Sequence, residues 1–219
     1  MAERKLTPRD EFDKALAEHS AAFRLVLNEE ARERLCDYFE AVARWNARLH
    51  LVAPCAPAEF ATRHVLESLL AVRFIKEGAS VVDVGSGAGL PAIPCLVART
   101  DVSATLVESS QKKAVFLREA LRALGMSERA RVVAERFEKV APPSVDVLTC
   151  RALERFTEVL PALVEWSSRV PVLLLFGGES LRERLEKLPI RFEQTLVPGS
   201  ERRFLFVVRR DEFTGGASS

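Results

Sequence analysis

Residues 81–91 read VVDVGSGAGLP, and this stretch decides the fold. An apolar run carrying one acid, Asp83, passes directly into Gly85, Gly87 and Gly89. Glycine has no β-carbon, so such a backbone turns tightly and approaches a ligand closely. Amide groups at the start of a following helix would suit an anionic group. A dinucleotide fingerprint needs G-x-G-x-x-G. Residue 90 is Leu, so the last spacing fails and a nicotinamide dehydrogenase is a poor reading.

Outward from the loop, short β-rich runs alternate with helical patterns. The runs are SVVDV (80–84), SATLVE (103–108), RVVAERF (131–137), VDVLTC (145–150) and PVLLLF (171–176). Between the second and third, KKAVFLREALRALG (112–125) aligns Leu117, Ala120, Leu121 and Leu124 in one stripe, and Gly125 is placed to end the helix. This alternation predicts a mostly parallel sheet with helices on both faces. The last two runs, IRFEQTLV (190–197) and RFLFVVRR (203–210), are separated only by PGSER. A parallel crossover needs a dozen or more residues, so this pair must be an antiparallel hairpin. Upstream of residue 80 the texture is helical. Leu35, Tyr38, Phe39, Val42, Trp45 and Leu49 share a face, and Leu66, Leu69, Leu70 and Arg73 continue after a break at Pro54 and Pro57.

Composition sets the outer bounds. The 219 residues suit one α/β domain with an extension, and a formal charge of +1 requires any nucleic-acid footprint to be local. Cys36, Cys55, Cys95 and Cys150 form no CxxC pair and lie near no His at metal-ligand spacing. They read as reduced, largely buried thiols, and no metal site is expected. The N-terminal MAERKLTPRD lacks the apolar region of a secretory signal, and PVLLLF is too short to span a bilayer. The expected location is the cytoplasm.

A second acid strengthens the loop's reading. Glu108 closes the next strand, and a carboxylate can accept from two hydroxyls at once. The D-x-G-x-G-x-G pattern with this acid resembles the first motif of S-adenosylmethionine-dependent methyltransferases. In those proteins the loop curls under the amino-acid end of the cofactor and the second acid takes the ribose. Further stretches resemble one family, the bacterial small-subunit ribosomal RNA guanine-N7 methyltransferases, also called glucose-inhibited division protein B. They are RHVLESL (63–69), VVDVGSGAGLPAIP (81–94), KKAVFLREALRALG (112–125), the Arg136-Phe137-Glu138 step and CRAL (150–153). The resemblance covers most of 35–210.

The resemblance implies a Rossmann-like class I methyltransferase sheet, mostly parallel with a C-terminal antiparallel hairpin, and an N-terminal helical extension. The expected division is extension 1–78, cofactor-binding domain 79–211 and disordered tail 212–219. It implies S-adenosylmethionine as cofactor, contacted by Asp83, Gly85, Gly87, Gly89, Leu90, Glu108, Phe137, Glu138 and Arg151. Arg151 is also expected to orient the substrate through its planar fork of donors. The alternatives are a core Phe137 and an Arg151–Glu154 ion pair. The implied partner is 16S ribosomal RNA, in the small ribosomal subunit or its precursor. Segment 112–136 holds seven Lys and Arg against three acids. Lys112, Lys113 and Arg118, with Arg63 and His64, are expected to border an RNA-facing rim; a solvated helix face is the plainer reading.

The chain departs from the family pattern in places. His50-Leu51-Val52 replaces Asn-Leu-Thr, Ala92 replaces Gly after Pro91, and Glu67 and Glu108 stand where Asp is commoner. Phe176-Gly177-Gly178 stands where the fifth strand usually runs into Lys-Gly, a departure that bears on RNA affinity. Two rival functions remain at this point: a same-fold methyltransferase of small molecules or proteins, and an RNA-binding assembly protein with a degenerate pocket.

Overall fold

The computed structural model describes residues 6–151 and 156–210. Their seven strands form one sheet: β1 (Ser80–Val84), β2 (Ser103–Val107), β3 (Ala130–Val133), β4 (Val147–Arg151), β5 (Val172–Gly177), β6 (Phe192–Leu196) and β7 (Phe204–Arg209). The order is β3-β2-β1-β4-β5-β7-β6. The first five strands are mutually parallel, and β7 inserts between β5 and β6, antiparallel to both. The expected hairpin is present, and its second strand, not its first, extends the sheet.

One expected strand is shorter than its sequence pattern. RVVAERF is a strand only to Val133, and Phe137 opens a 3-10 turn, Phe137–Lys139. The neighbouring β2 ends at Val107, opposite Val133, so the chain beyond has no ladder to join.

Among the described residues, seven helical segments besides the short 3-10 turns Ser20–Phe23 and Phe137–Lys139 surround the sheet. They are α1 (Pro8–His19), α2 (Glu29–Leu49), the run 57–74 called α3, α4 (Ala92–Ala98), α5 (Gln111–Ala123), α6 (Phe156–Trp166) and α7 (Glu179–Leu185). Helix α3 is irregular: α-helical over Pro57–Glu59, π-helical over Phe60–Leu66, α-helical over Glu67–Leu69 and 3-10 over Leu70–Phe74. Helix α2 starts on Asn28, whose side chain accepts from the Ala31 amide at 2.8 Å. Helix α5 ends as its sequence predicts, with Gly125 at φ +65° just past the last turn.

Strand alternation divides the core in two. Val81, Leu174, Leu205 and Val207 face α1–α5, whereas Val82, Leu173, Phe206 and Val208 face α6 and α7. The first core mixes Phe12, Tyr38 and Leu66 of the N-terminal helices with Ile93, Phe116 and Leu121 beyond residue 79. The helical extension therefore has no separate core; it covers one face of the sheet. Burying such side chains is worth about 1.5–3 kcal/mol each relative to exposure. The tail 212–219, and Ala152 to Glu154 with them, lie outside the described residues.

Candidate active site

The glycine loop is held from below and from behind. The amides of Gly85 and Ser86 both donate to the Val107 carbonyl, at 2.9 and 3.2 Å. Gly87, at φ +52°, donates to Glu108 Oε2 at 2.8 Å. The Ser110 amide donates to Glu108 Oε1, also at 2.8 Å. Tyr38 of α2 is fully buried, and its hydroxyl donates to the Ala88 carbonyl at 2.7 Å. The loop is thus fastened to the N-terminal helices as well as to β2.

These bonds change the expected division of labour. The amides of Gly85, Ser86, Gly87 and Gly89 are already taken, the last by the Ser86 carbonyl at 2.6 Å. As it stands, the loop does not offer those four as an anion cradle. Gly89 does not line the crevice: a β-carbon there would sit 2.4 Å from Ile93 Cδ1, so its bareness admits α4. Asp83 is fully buried beneath the loop, with Oδ1 accepting from Thr149 Oγ1 at 2.6 Å and Oδ2 without a partner. Burial pushes its carboxyl up to about 7, with Thr149 and then Ser86 opposing the shift.

A crevice of about 380 Å³ opens beyond the carboxyl ends of β1, β2 and β4. Its lining includes Gly85, Gly87, Leu90, Glu108, Lys113 and Arg151, with Leu51 and His64 from the N-terminal segment. Glu108 is 7% exposed and faces this space rather than bulk water. Each of its oxygens holds one amide and retains an acceptor site.

Arg151 differs most from its expected role. Its Nη1 donates to the His64 carbonyl and to Ser68 Oγ, both at 3.0 Å, and its Nη2 donates to the Arg63 carbonyl at 2.8 Å. Glu67 Oε1 lies 3.5 Å from Nη2. The guanidinium has little left with which to grip a substrate in two places. It instead latches the end of β4 to the π-helical part of α3, and so places His64 on the crevice wall. Burial lowers its pKa, with Glu67 opposing. The Arg151–Glu154 alternative falls on a residue outside the described ones.

Phe137 is buried in the second core, its ring edge-on to Trp166 at 5.5 Å, and Glu138 is exposed. Neither side chain lines the 380 Å³ crevice. Of the expected rim, Lys112 and Arg118 are exposed on α5 and Lys113 turns to the crevice. Arg63 is on the surface and pairs with Glu59 at 2.9 Å. Arg129 leaves the basic set, because it is spent on the carbonyls of Leu96, Arg99 and Val102. The Gly177 departure has a packing reason: a β-carbon there would meet Leu181 Cδ2 at 2.5 Å.

Sequence reading missed three supports. Asn46 clamps the chain after α2, accepting from the Val52 amide at 3.0 Å and donating to its carbonyl at 3.1 Å, which sets Leu51 and Val52 against the crevice. Ser68 accepts from Arg151, and Arg203 donates to Glu67 Oε2 at 2.6 Å. The Trp45-Asn46 pair is visible in the sequence, but none of these partners is local enough to be read from it. Among the described residues no cluster of three or more His, Cys, Asp or Glu is placed to hold a metal, and no helix is long and apolar enough to cross a membrane.

The family model for rRNA small subunit methyltransferase G matches residues 31–200. The chain belongs to this family. A ribosomal RNA small subunit methyltransferase G from Xanthomonas campestris pv. campestris (strain B100) is 38% identical over 184 residues, covering 81% of this chain and 86% of the relative. One from Gluconobacter oxydans (strain 621H) is 39% identical over 141 residues, 64% of this chain and 69% of the relative. Among solved structures, a SAM-dependent methyltransferase from Aquifex aeolicus superposes with a TM-score of 0.56 at 18% identity, over 69% of this chain and 93% of its own. A cofactor-bound protein from MTB reaches 0.61 at 18% identity, over 94% and 99%. These two similarities establish the Rossmann-like methyltransferase fold. The matched span of the family, 31–200, takes in α2 from its third residue, the latch on Arg151, the glycine loop and Glu108.

Proposed function

We propose that this rRNA small subunit methyltransferase G family member uses S-adenosylmethionine to methylate N7 of a guanine in 16S ribosomal RNA. The observation that carries the reading is Glu108. A carboxylate at the end of β2, nearly buried yet open to a crevice and keeping an acceptor site on each oxygen, suits a ribose diol. The residues present fit the cofactor. Glu108 would accept from the two ribose hydroxyls, and Gly85, Gly87 and Leu90 would form the floor of the site. When bound, the cofactor supplies an electrophilic methyl group.

The rest of the chemistry asks little of the protein. Guanine N7 carries a lone pair and no proton, so its attack needs no general base. The chain's task is to hold the base in line and to keep water out. Orientation of this kind can contribute about 7–11 kcal/mol to a barrier. The crevice wall is fixed for that purpose: Tyr38 and Glu108 hold the loop, Asn46 holds Leu51 and Val52, and Arg151 holds His64. Lys112, Lys113 and Arg118 on α5, with Arg63, would meet RNA phosphates beside the opening. A guanine splayed from its loop would enter between them. The working location is the cytoplasm, on the small ribosomal subunit or its precursor.

The test is transfer of a labelled methyl group to 16S ribosomal RNA, free and in assembled 30S particles, followed by digestion and mass spectrometry. N7-methylguanosine is the expected product. Label on another base, or only on a small molecule or protein, overturns the substrate assignment. Absence of any binding heat with S-adenosylhomocysteine would point to an assembly protein instead.

A further inference from the structure

We propose that His64 reads the target base, its Nε2–H donating to O6 of the guanine while N7 faces the methyl donor. The inference rests on the guanine reading above and deepens it.

Three observations fix the imidazole. His64 lines the crevice together with Gly85, Leu90, Glu108 and Arg151. Its Nδ1 lies 3.4 Å from Arg151 Nη2. A guanidinium only donates, so Nδ1 accepts and the proton sits on Nε2. Nε2 has no protein partner among the described residues, and it is not among the buried polar atoms that lack one. A single N–H donor is therefore left open, on a residue of the crevice wall.

The surroundings keep that donor single and steady. The His64 carbonyl accepts from Arg151 Nη1 at 3.0 Å and from Ser68 Oγ at 2.5 Å, and the ring packs at 5.2 Å from Phe60. Burial, then Arg151 and Arg63, lower its pKa to about 4, with Glu59 opposing and Arg203 adding to the depression. The ring stays neutral, so no second positive charge faces the methyl donor.

The chemistry selects guanine. Guanine presents two acceptors side by side, N7 and O6, whereas adenine presents N7 beside the donor N6–H₂. An N–H aimed at that second position pairs with guanine and meets adenine donor to donor. Leaving that donor buried against another donor costs about 5- to 150-fold in affinity.

The experiment compares wild type with His64→Phe and His64→Gln on 16S ribosomal RNA. His64→Phe keeps the volume and loses the donor; His64→Gln restores an N–H. The expected result is a fall of about 5- to 150-fold in kcat/KM for RNA with His64→Phe, substantial recovery with His64→Gln, and S-adenosylhomocysteine affinity within about twofold in all three. In RNA whose target guanine is replaced by 2-aminopurine, which keeps N7 and lacks O6, the replacement should cost wild type more than it costs His64→Phe by the same factor. Unchanged activity in His64→Phe overturns the proposal. So does no recovery in His64→Gln, a loss that follows cofactor affinity, or an equal penalty for 2-aminopurine in both proteins. If wild type transfers no methyl group to ribosomal RNA, the parent reading fails, and that result is distinguishable from all of these.

Discussion

Arg203 Nη1 donates to Glu67 Oε2 at 2.6 Å, joining the C-terminal hairpin to α3 across 136 residues of chain. The other oxygen of the same carboxylate lies 3.5 Å from Arg151. One acid, 5% exposed in its side chain, thus holds two cations from two different strand ends. It is the point at which α3, β4 and β7 meet, directly behind the crevice wall.

Removing that acid leaves two guanidinium groups without their partner. Glu67→Ala should cost about 3 kcal/mol of stability, within the range for breaking a buried ion pair. Urea denaturation measures it. Because the latch on His64 slackens at the same time, methyl transfer to RNA should fall further than S-adenosylhomocysteine binding does. A stability loss below about 0.5 kcal/mol would show that the pair behaves as an exposed surface pair.

Glu108→Gln exchanges a carboxylate for an amide with one acceptor oxygen. The side chain then serves either the Gly87 and Ser110 amides or a ribose hydroxyl, but not all of them. Calorimetry with S-adenosylhomocysteine should give a dissociation constant about 10- to 150-fold weaker, corresponding to the absence of charge-assisted hydrogen bonds. Equal affinity in both proteins would remove Glu108 from the cofactor site.

Asp83 predicts a pH dependence of stability. Its folded pKa, raised by burial to about 7, lies above the unfolded value of about 3.9. Between those values the folded chain binds the extra proton, so the Asp83 contribution to stability is fully present below about pH 4 and is lost as pH rises to about 7. Thr149 and Ser86 oppose the shift and Glu108 adds to it. Relative to Asp83→Asn, the wild type should therefore lose about 3 kcal/mol between pH 5 and pH 8. Paired denaturation curves at the two pH values measure the difference, and a constant offset would contradict the assignment.

The rim on α5 predicts a salt effect. Lys112 and Arg118 are exposed and have no acidic partner among the described residues. Charge reversal at both should raise KM for ribosomal RNA and lower the slope of log affinity against log salt by about 0.7 for each phosphate no longer neutralised. Cofactor affinity should not move. An unchanged salt slope would assign RNA binding to another face.

Much of the fold was legible because its signals are local. The stripe of Leu117, Ala120, Leu121 and Leu124 is buried as its spacing predicts, and Gly125 closes the helix. The short PGSER link forces an antiparallel pair, and β6 and β7 form one. The site was less legible. Glu108 lines a crevice beyond the strand ends, whereas Gly89 serves packing, Asp83 is sealed beneath the loop, and Phe137 lies with its side chain in the core. Each of these residue types suits two surroundings, and which one applies depends on what arrives from elsewhere in the chain.

The sequence by itself determined the strand–glycine–helix passage, the parallel sheet and the acid at the end of β2, since periodicity and turn chemistry act within a few residues. Tertiary structure alone decided that β7 enters between β5 and β6, that Arg151 bonds to α3, and that His64 stands on the crevice wall. The placement of Arg151 and His64 depends on directional bonds between groups separated by 83 or more residues, and that of β7 on pairing with β5 across a helix and another strand. Such bonds exist only once the packed helices and sheet bring donor and acceptor within about 3 Å.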